Sequence, residues 1–191
     1  NLDNPDYVFE TTQTSRDAFD NSIAEFSTMM NDKAKEIGCT NTNFVNPNGI
    51  YNDNHYSTAY DLALIGKYAY ENAIIKSIGS KASYNLAKNE NHPTYTSTNA
   101  LLRNTHRYYY EYANGLKTGY TDAAGYCIIA TASKDGIDLI CVILKGERLS
   151  DGTATRETDC INLFNYGFDN YKSVNLVTEG DVVRTIDILN G

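Results

Sequence analysis

Two apolar runs dominate the pattern of this chain. Residues 125–133 and 137–144 are apolar at nearly every position and are joined by Lys134-Asp135-Gly136, a strong β-hairpin signal. Strands that are apolar on both faces must be covered on both, so the hairpin is expected to be central. Elsewhere the spacing shifts to the three- and four-residue rhythm of amphipathic helices. Ser22-Ile23-Ala24-Glu25 reads as a capping box, Ser22 accepting from the amide of Glu25 and Glu25 reaching back. The helix it opens would carry Ile23, Phe26, Met29, Met30, Ala34 and Ile37 on one face, with Gly38 as its stop. Ser57 is expected to cap a second helix that buries Leu62, Ile65, Tyr68 and Ala69 and ends near Asn72. A short helix follows at 74–78, and 157–166 predicts a last helix burying Cys160, Ile161 and Phe164.

The intervening segments are shorter and more polar. Residues 7–12 alternate as a short strand, and polar 13–20 reads as loop. Asn46-Pro47-Asn48-Gly49 is a turn cluster. From 80 to 112 the chain is polar and aromatic, read as short strands and loops with a helical turn around 99–104. Its tyrosines, including the run Tyr108-Tyr109-Tyr110, are assigned to packing. Residues 174–176 and 182–189 are expected to end the chain as strands.

Composition narrows the function classes. A chain of 191 residues makes one large domain, or one and a fraction, with a sizeable core. A net charge of −8 leaves no basic stripe for phosphates, which argues against nucleic acid as a partner. Sixteen tyrosines without tryptophan suit an extracytoplasmic style of surface. No stretch approaches the apolar length of a membrane-spanning helix. The opening Asn1-Leu2-Asp3-Asn4-Pro5 carries no secretion signal and reads as a processed or trimmed start. Cys39, Cys127, Cys141 and Cys160 lack zinc-site spacing, so no metal or cofactor is implied. Cys127 and Cys141 read as small buried hydrophobes, and a structural disulfide is the other reading of the four cysteines. His55, His92 and His106 have no ligand-like spacing and are assigned surface or structural places.

The candidate chemistry sits just before the hairpin, in Gly115-Leu116-Lys117-Thr118-Gly119-Tyr120-Thr121. On an edge strand, a lysine supplies fixed positive charge and a threonine hydroxyl can hydrogen-bond a substrate carboxylate. The glycine removes a side chain, so substrate can lie against the backbone. Lys117-Thr118-Gly119 matches the third signature of the penicillin-binding and β-lactamase enzymes, whose other two are Ser-x-x-Lys and Ser-x-Asn.

Further motifs keep a family's order around it. Met30-Asn31, Ala34-Lys35-Glu36-Ile37-Gly38, Phe44-x-Asn46-Pro47-x-Gly49, Ser57-Thr58-Ala59-x-Asp61-Leu62-Ala63, the Lys117 segment to Gly125-Tyr126-Cys127, and Tyr166-Gly167-Phe168 follow one another. Together, over roughly residues 21–171, the chain resembles the serine-type D-alanyl-D-alanine carboxypeptidases, the low-molecular-mass penicillin-binding proteins. The resemblance implies an α/β (α+β) sandwich, a mostly antiparallel sheet with helices on both faces, incomplete here on the nucleophile-helix side. It implies residues 1–173 as a partial transpeptidase-like domain and 174–191 as closing strands or the start of a β-rich domain. It also implies hydrolysis of the terminal D-Ala-D-Ala bond of peptidoglycan stem peptides through an acyl-serine, with β-lactams as further partners. Lys117, Thr118 and Gly119 would then form the substrate-carboxylate strand. Arg156 lies where the family carries an assisting arginine, and a helix-start arginine in solvent stays open as the other reading.

The chain departs from that pattern in one respect. No Ser-x-x-Lys occurs in the 191 residues. Ser-x-Asn occurs at Ser83, Ser97 and Ser173, but in the family this motif precedes the Met-Asn helix, so none stands in the expected place. The catalytic nucleophile is therefore unassigned. Three explanations stay open: a truncated or internally deleted enzyme, a non-catalytic relative that binds peptidoglycan, or catalytic helices supplied by another chain, as in a swapped dimer. The preferred reading is an enzyme of this family whose present chain is incompetent alone. A β-lactamase or a β-lactam sensor shares Lys-Thr-Gly, and a purely structural role is the plainest alternative.

Overall fold

The computed structural model describes residues 13–85, 94–174, 176, 177, 180 and 182–184, with side chains from residue 16 onward. In chain order the elements are α1 (Gln13–Glu36), α2 (Ala59–Glu71), α3 (Ala73–Gly79), β1 (Ser83–Asn85), β2 (Thr94–Thr96), a 3-10 turn (Ala100–Leu102), β3 (Ala113–Thr121), β4 (Gly125–Lys134), β5 (Ile137–Gly146) and α4 (Thr155–Asn170). The predicted strand at 7–12 lies outside the described residues.

The hairpin forms as its pattern requires. Strands β3, β4 and β5 make an antiparallel sheet in that order, with β4 in the middle. The turn residues Asp135 and Gly136 both take positive φ, the conformation that a tight hairpin needs. Alternation along β4 divides its side chains between two helical layers. Ile128, Ala130 and Ala132 join Cys141 of β5 and Cys160 and Phe164 of α4 in the buried core. On the opposite face Ile129 and Ile140 lie under Gly66 of α2, where an added Cβ would come within 2.7 Å of Ile129 Cγ2. Helices therefore cover both faces of a mostly antiparallel sheet, the predicted fold class. Gly167 gives α4 the same close approach, since a Cβ there would meet Leu139 Cδ1 at 2.5 Å.

Aromatic packing extends the core on the α4 side. Phe164, 1% exposed, stacks on Tyr110 with ring centroids 5.8 Å apart, and the Tyr110 hydroxyl donates to Asn165 Oδ1 at 2.9 Å. Tyr112 then bridges edge-on to Tyr110 and Phe168. Burying a side chain the size of Phe164 contributes about 2–3 kcal/mol. Cys141 and Cys160 Sγ lie 3.6 Å apart in this core, and all four cysteines are free thiols, which corrects the disulfide reading. The hydrogen bond from Cys141, and then burial, push the Cys160 thiol upward, so it stays protonated. Cys127 is half-buried, less enclosed than its strand pattern implies.

Three helix expectations need correction. Helix α1 begins at Gln13, not Ser22, and Ser22 Oγ donates back to the carbonyl of Ala18 at 2.9 Å. No glycine or proline interrupts residues 13–36, so a local capping signal cannot stop a helix already running through it. On α1 only Ala34 of the predicted apolar face is fully buried, while Phe26 and Met29 are exposed. Second, Thr58 caps α2 by accepting from the Asp61 amide at 3.1 Å; Ser57 Oγ instead bonds Thr42 Oγ1 at 2.8 Å. Third, Tyr68 of the predicted α2 stripe is exposed under the Lys33 ammonium. Helix α4 is longer at both ends than read, but Cys160 and Phe164 are buried as expected. At the chain's end Val174 and Leu176 are exposed and outside any strand, and most of 182–189 lies outside the described residues.

Candidate active-site cleft

Strand β3 owes its functional character to its place at the sheet margin. Among the described residues it pairs only with β4, so one row of its backbone amides and carbonyls has no partner strand. Thr118, opposite Ile128, is buried; Lys117 and Gly119 are exposed. The Lys117 ammonium donates to the carbonyl of Thr118, and a Cβ placed on Gly119 would meet nothing within 4 Å. The strand thus offers an exposed cation, a hydroxyl and an unobstructed backbone side by side.

The opposite wall is the loop between α1 and α2. Its turn is self-braced: Gly49 takes φ 78° and its amide donates to Asn46 Oδ1 at 2.8 Å, while Asn46 Nδ2 donates to the Ile50 carbonyl at 2.9 Å. Asn31 of α1 clasps the Phe44 backbone in both directions, at 2.8 and 2.7 Å. The Phe44 ring meets His55 edge-on at 5.5 Å, and the Val45 amide donates to His55 Nδ1. Burial holds His55 below its ordinary pKa, so the ring is neutral and accepts at Nδ1.

The loop is latched to α2 by a buried carboxylate. Asp61, 1% exposed, accepts from the Asn41 amide and from Thr42 Oγ1, both at 2.7 Å. The Thr42 hydroxyl, then the backbone amide of Asn41, hold Asp61 below the usual carboxylate range. In the sequence Asp61 is only one letter of the Ser57–Ala63 motif; its structural role follows from the loop folding back onto α2.

Between these walls lies a cleft of about 710 Å³ bordered by Asn46, Pro47, Lys117, Thr118, Gly119 and Arg156. All four sequence-predicted residues therefore reach one cavity. Arg156, on the first turn of α4, is not a solvent arginine: its side chain is 12% exposed. Its Nε donates to Glu157 Oε1 at 2.9 Å, a second nitrogen pairs with the same oxygen, and Nη1 points to the Cys127 carbonyl at 3.5 Å. Arg156 and the strand are joined across Tyr126, whose ring lies 5.6 Å from the guanidinium and 4.5 Å from Tyr120.

Thr98 joins the site without any mark in the sequence. Its hydroxyl shares a hydrogen bond with Thr118 Oγ1, and it borders the cleft. Ser97-Thr98-Asn99 stands away from the family's place for Ser-x-Asn along the chain, yet folding brings it against β3. Asn99 is structural there: buried, it donates to the Gly115 carbonyl at 2.8 Å and caps the following 3-10 turn. Only the adjacency of 98 and 118 in space marks Thr98, and no short-range pattern carries that.

Comparison with known proteins gives one consistent answer. The profile of the D-alanyl-D-alanine carboxypeptidase family, peptidase S11, matches residues 17–148, which include Lys117 to Gly119 and stop short of Arg156. The D-alanyl-D-alanine carboxypeptidase DacF of Bacillus subtilis is 31% identical over 172 residues, 89% of this chain and 42% of that protein. The Streptomyces K15 DD-transpeptidase superposes with a TM-score of 0.65 at 30% identity, covering 75% of this chain and 54% of that one. Penicillin-binding protein D2 of Listeria monocytogenes, in its cefotaxime-bound form, superposes at 0.63 with 33% identity over 76% and 56%. The chain thus spans about half the length of the relatives it matches. With the family profile covering more than half of the sequence, the chain belongs to the D-alanyl-D-alanine carboxypeptidase family, peptidase S11.

Proposed function

We propose that the cleft is the substrate-carboxylate half of a D-alanyl-D-alanine carboxypeptidase site, and that the whole protein trims the terminal D-alanine from peptidoglycan stem peptides outside the cytoplasm. The observation that carries this is the edge strand itself: Lys117, Thr118 and Gly119 line one cleft with Arg156 on a strand edge that has no partner strand among the described residues. An extended peptide can add to that edge through main-chain hydrogen bonds. Its terminal carboxylate then draws the Lys117 ammonium away from the Thr118 carbonyl and accepts from the Thr118 hydroxyl, which Thr98 holds in place. Arg156 offers guanidinium hydrogen-bond donors from the α4 side, its charge offset by Glu157, which fixes its orientation.

In the reaction a serine hydroxyl attacks the penultimate D-alanine carbonyl, the peptide C–N bond breaks, and the terminal D-alanine departs with the proton. Water then hydrolyses the acyl ester. The residues of this chain bind and orient; the serine and its lysine are not among the 191 residues in Ser-x-x-Lys form. β-Lactams, bound in the Listeria relative, would occupy the same cleft.

The test is D-alanine release from a D-alanyl-D-alanine-terminated peptide by the full-length protein. Lys117→Ala is expected to lower kcat/KM by about 100-fold, the scale for loss of one preorganised electrostatic contact. Undiminished release by that variant contradicts the assignment.

A further inference from the structure

On the far side of Arg156 the structure holds a second cavity, of about 540 Å³, walled by Arg103, His106, Arg107, Arg148, Arg156 and Glu157. The chain has only six arginines, Arg16, Arg103, Arg107, Arg148, Arg156 and Arg184, and four of them meet here. This is unexpected in a protein of net charge −8. Glu157 is 3% exposed and gives one carboxylate oxygen to Arg156. That pair is internally neutral, although Glu157 Oε2 is buried without a hydrogen-bond partner among the described residues. Among those residues Arg103, Arg107 and Arg148 have no carboxylate within 4.0 Å, and Arg107 lies only close enough to Asp151 to add to the lowering of its pKa by the Thr153 amide.

Their guanidiniums are held by neutral contacts that spare most of their donors. Arg107 donates to the Gly152 carbonyl at 2.8 Å and to the Tyr108 hydroxyl. Arg148 lies 5.8 Å from the Tyr126 ring centroid. Arg103 Nε is buried and without a hydrogen-bond partner among the described residues, a donor that a ligand acceptor or water would satisfy. His106 is held below its usual pKa first by burial, with Arg103 adding to it, and the Tyr108 hydroxyl is lowered first by the Ala154 amide and then by its hydrogen bond from Arg107. Like charges gathered around a concavity repel one another, and a bound anion relieves that repulsion through charge-assisted, bidentate hydrogen bonds.

We propose that this cavity is an oxyanion subsite, in which Arg103, Arg107 and Arg148 take a carboxylate or phosphate group around the neutral Arg156–Glu157 pair. It opens beside the peptide cleft, sharing Thr98 and Arg156 with it. Naming its ligand as an anionic group of the cell-wall polymer rests on the proposed function; the oxyanion chemistry does not. The group would be a phosphodiester of an anionic wall polymer or a further carboxylate of the peptide strand.

The test is a pair of titrations, with inorganic phosphate and with glutarate, at low ionic strength, following the His106 ring and the β3 amides by NMR. Wild-type protein is compared with an R107Q/R148Q double variant, whose replaced side chains are exposed and leave the core intact. Saturable movement of the His106 signals is expected, with affinity weakened about tenfold or more in the double variant, the scale of losing charge-assisted hydrogen bonds. Tighter phosphate binding identifies the phosphodiester source, and tighter glutarate binding the carboxylate. No saturable shift at His106 with either anion, or an affinity unchanged in the double variant, overturns the subsite. Shifts confined to Lys117, Thr118 and Gly119 also overturn it while leaving the peptide cleft intact. Conversely, loss of the D-alanine-release assignment leaves this result standing.

Discussion

Asp61 shows how a single buried charge sets the shape of the cleft. Its carboxylate gathers Asn41 and Thr42 and so fixes the loop that faces the Lys117 strand. Because these bonds hold its folded pKa below the unfolded one, its contribution is fully present above the ordinary aspartate range and is lost as the pH falls through the folded value. Asp61→Asn is therefore expected to lower the thermal midpoint at neutral pH, and the gap to wild type should close as the pH drops below that range. Melting curves at pH 7 and near pH 3 check this, and a gap that does not narrow with acid would show that charge is not what Asp61 supplies. The place of Lys117, Thr118 and Gly119 in the candidate cleft is legible residue by residue, since one contiguous motif marks them. Thr98 and Asp61 are not, because each acts through a partner about twenty positions away: Thr118 for the first, Asn41 and Thr42 for the second.

At the scale of elements, stability concentrates where α4 meets the sheet. Phe164 is almost completely enclosed by Tyr110 and the β4 side chains, whereas Leu163, the preceding residue on the same helix, is half exposed. Phe164→Ala is expected to cost about 3–5 kcal/mol through lost burial and the cavity left behind. Leu163→Ala is expected to stay within about 0.5 kcal/mol, as surface changes do. Denaturant unfolding of the two variants checks both figures, and equal effects would place the core elsewhere. The β4–β5 hairpin was readable because its apolar run and its turn lie within about twenty consecutive residues. The start of α1 was not: a capping box at Ser22 competes with an uninterrupted helical stretch, and continuation of the helix prevails. The exposed Phe26 and Met29 mark a face of α1 that no described element covers.

For the whole molecule, the arrangement is a sheet margin that presents a cation, a hydroxyl and a free backbone edge between a latched loop and the start of α4. Everything proposed for it turns on recognition of a terminal carboxylate beside an extended peptide. The most direct measurement is calorimetric titration of the protein with an acetylated peptide ending in D-alanyl-D-alanine, against the same peptide with its C-terminus amidated. The free acid is expected to bind about tenfold or more tightly, since only it engages Lys117 and Thr118 through charge-assisted hydrogen bonds. That preference should vanish in Lys117→Ala. Equal affinity for acid and amide, or a preference that survives in Lys117→Ala, would contradict the carboxylate role of the cleft.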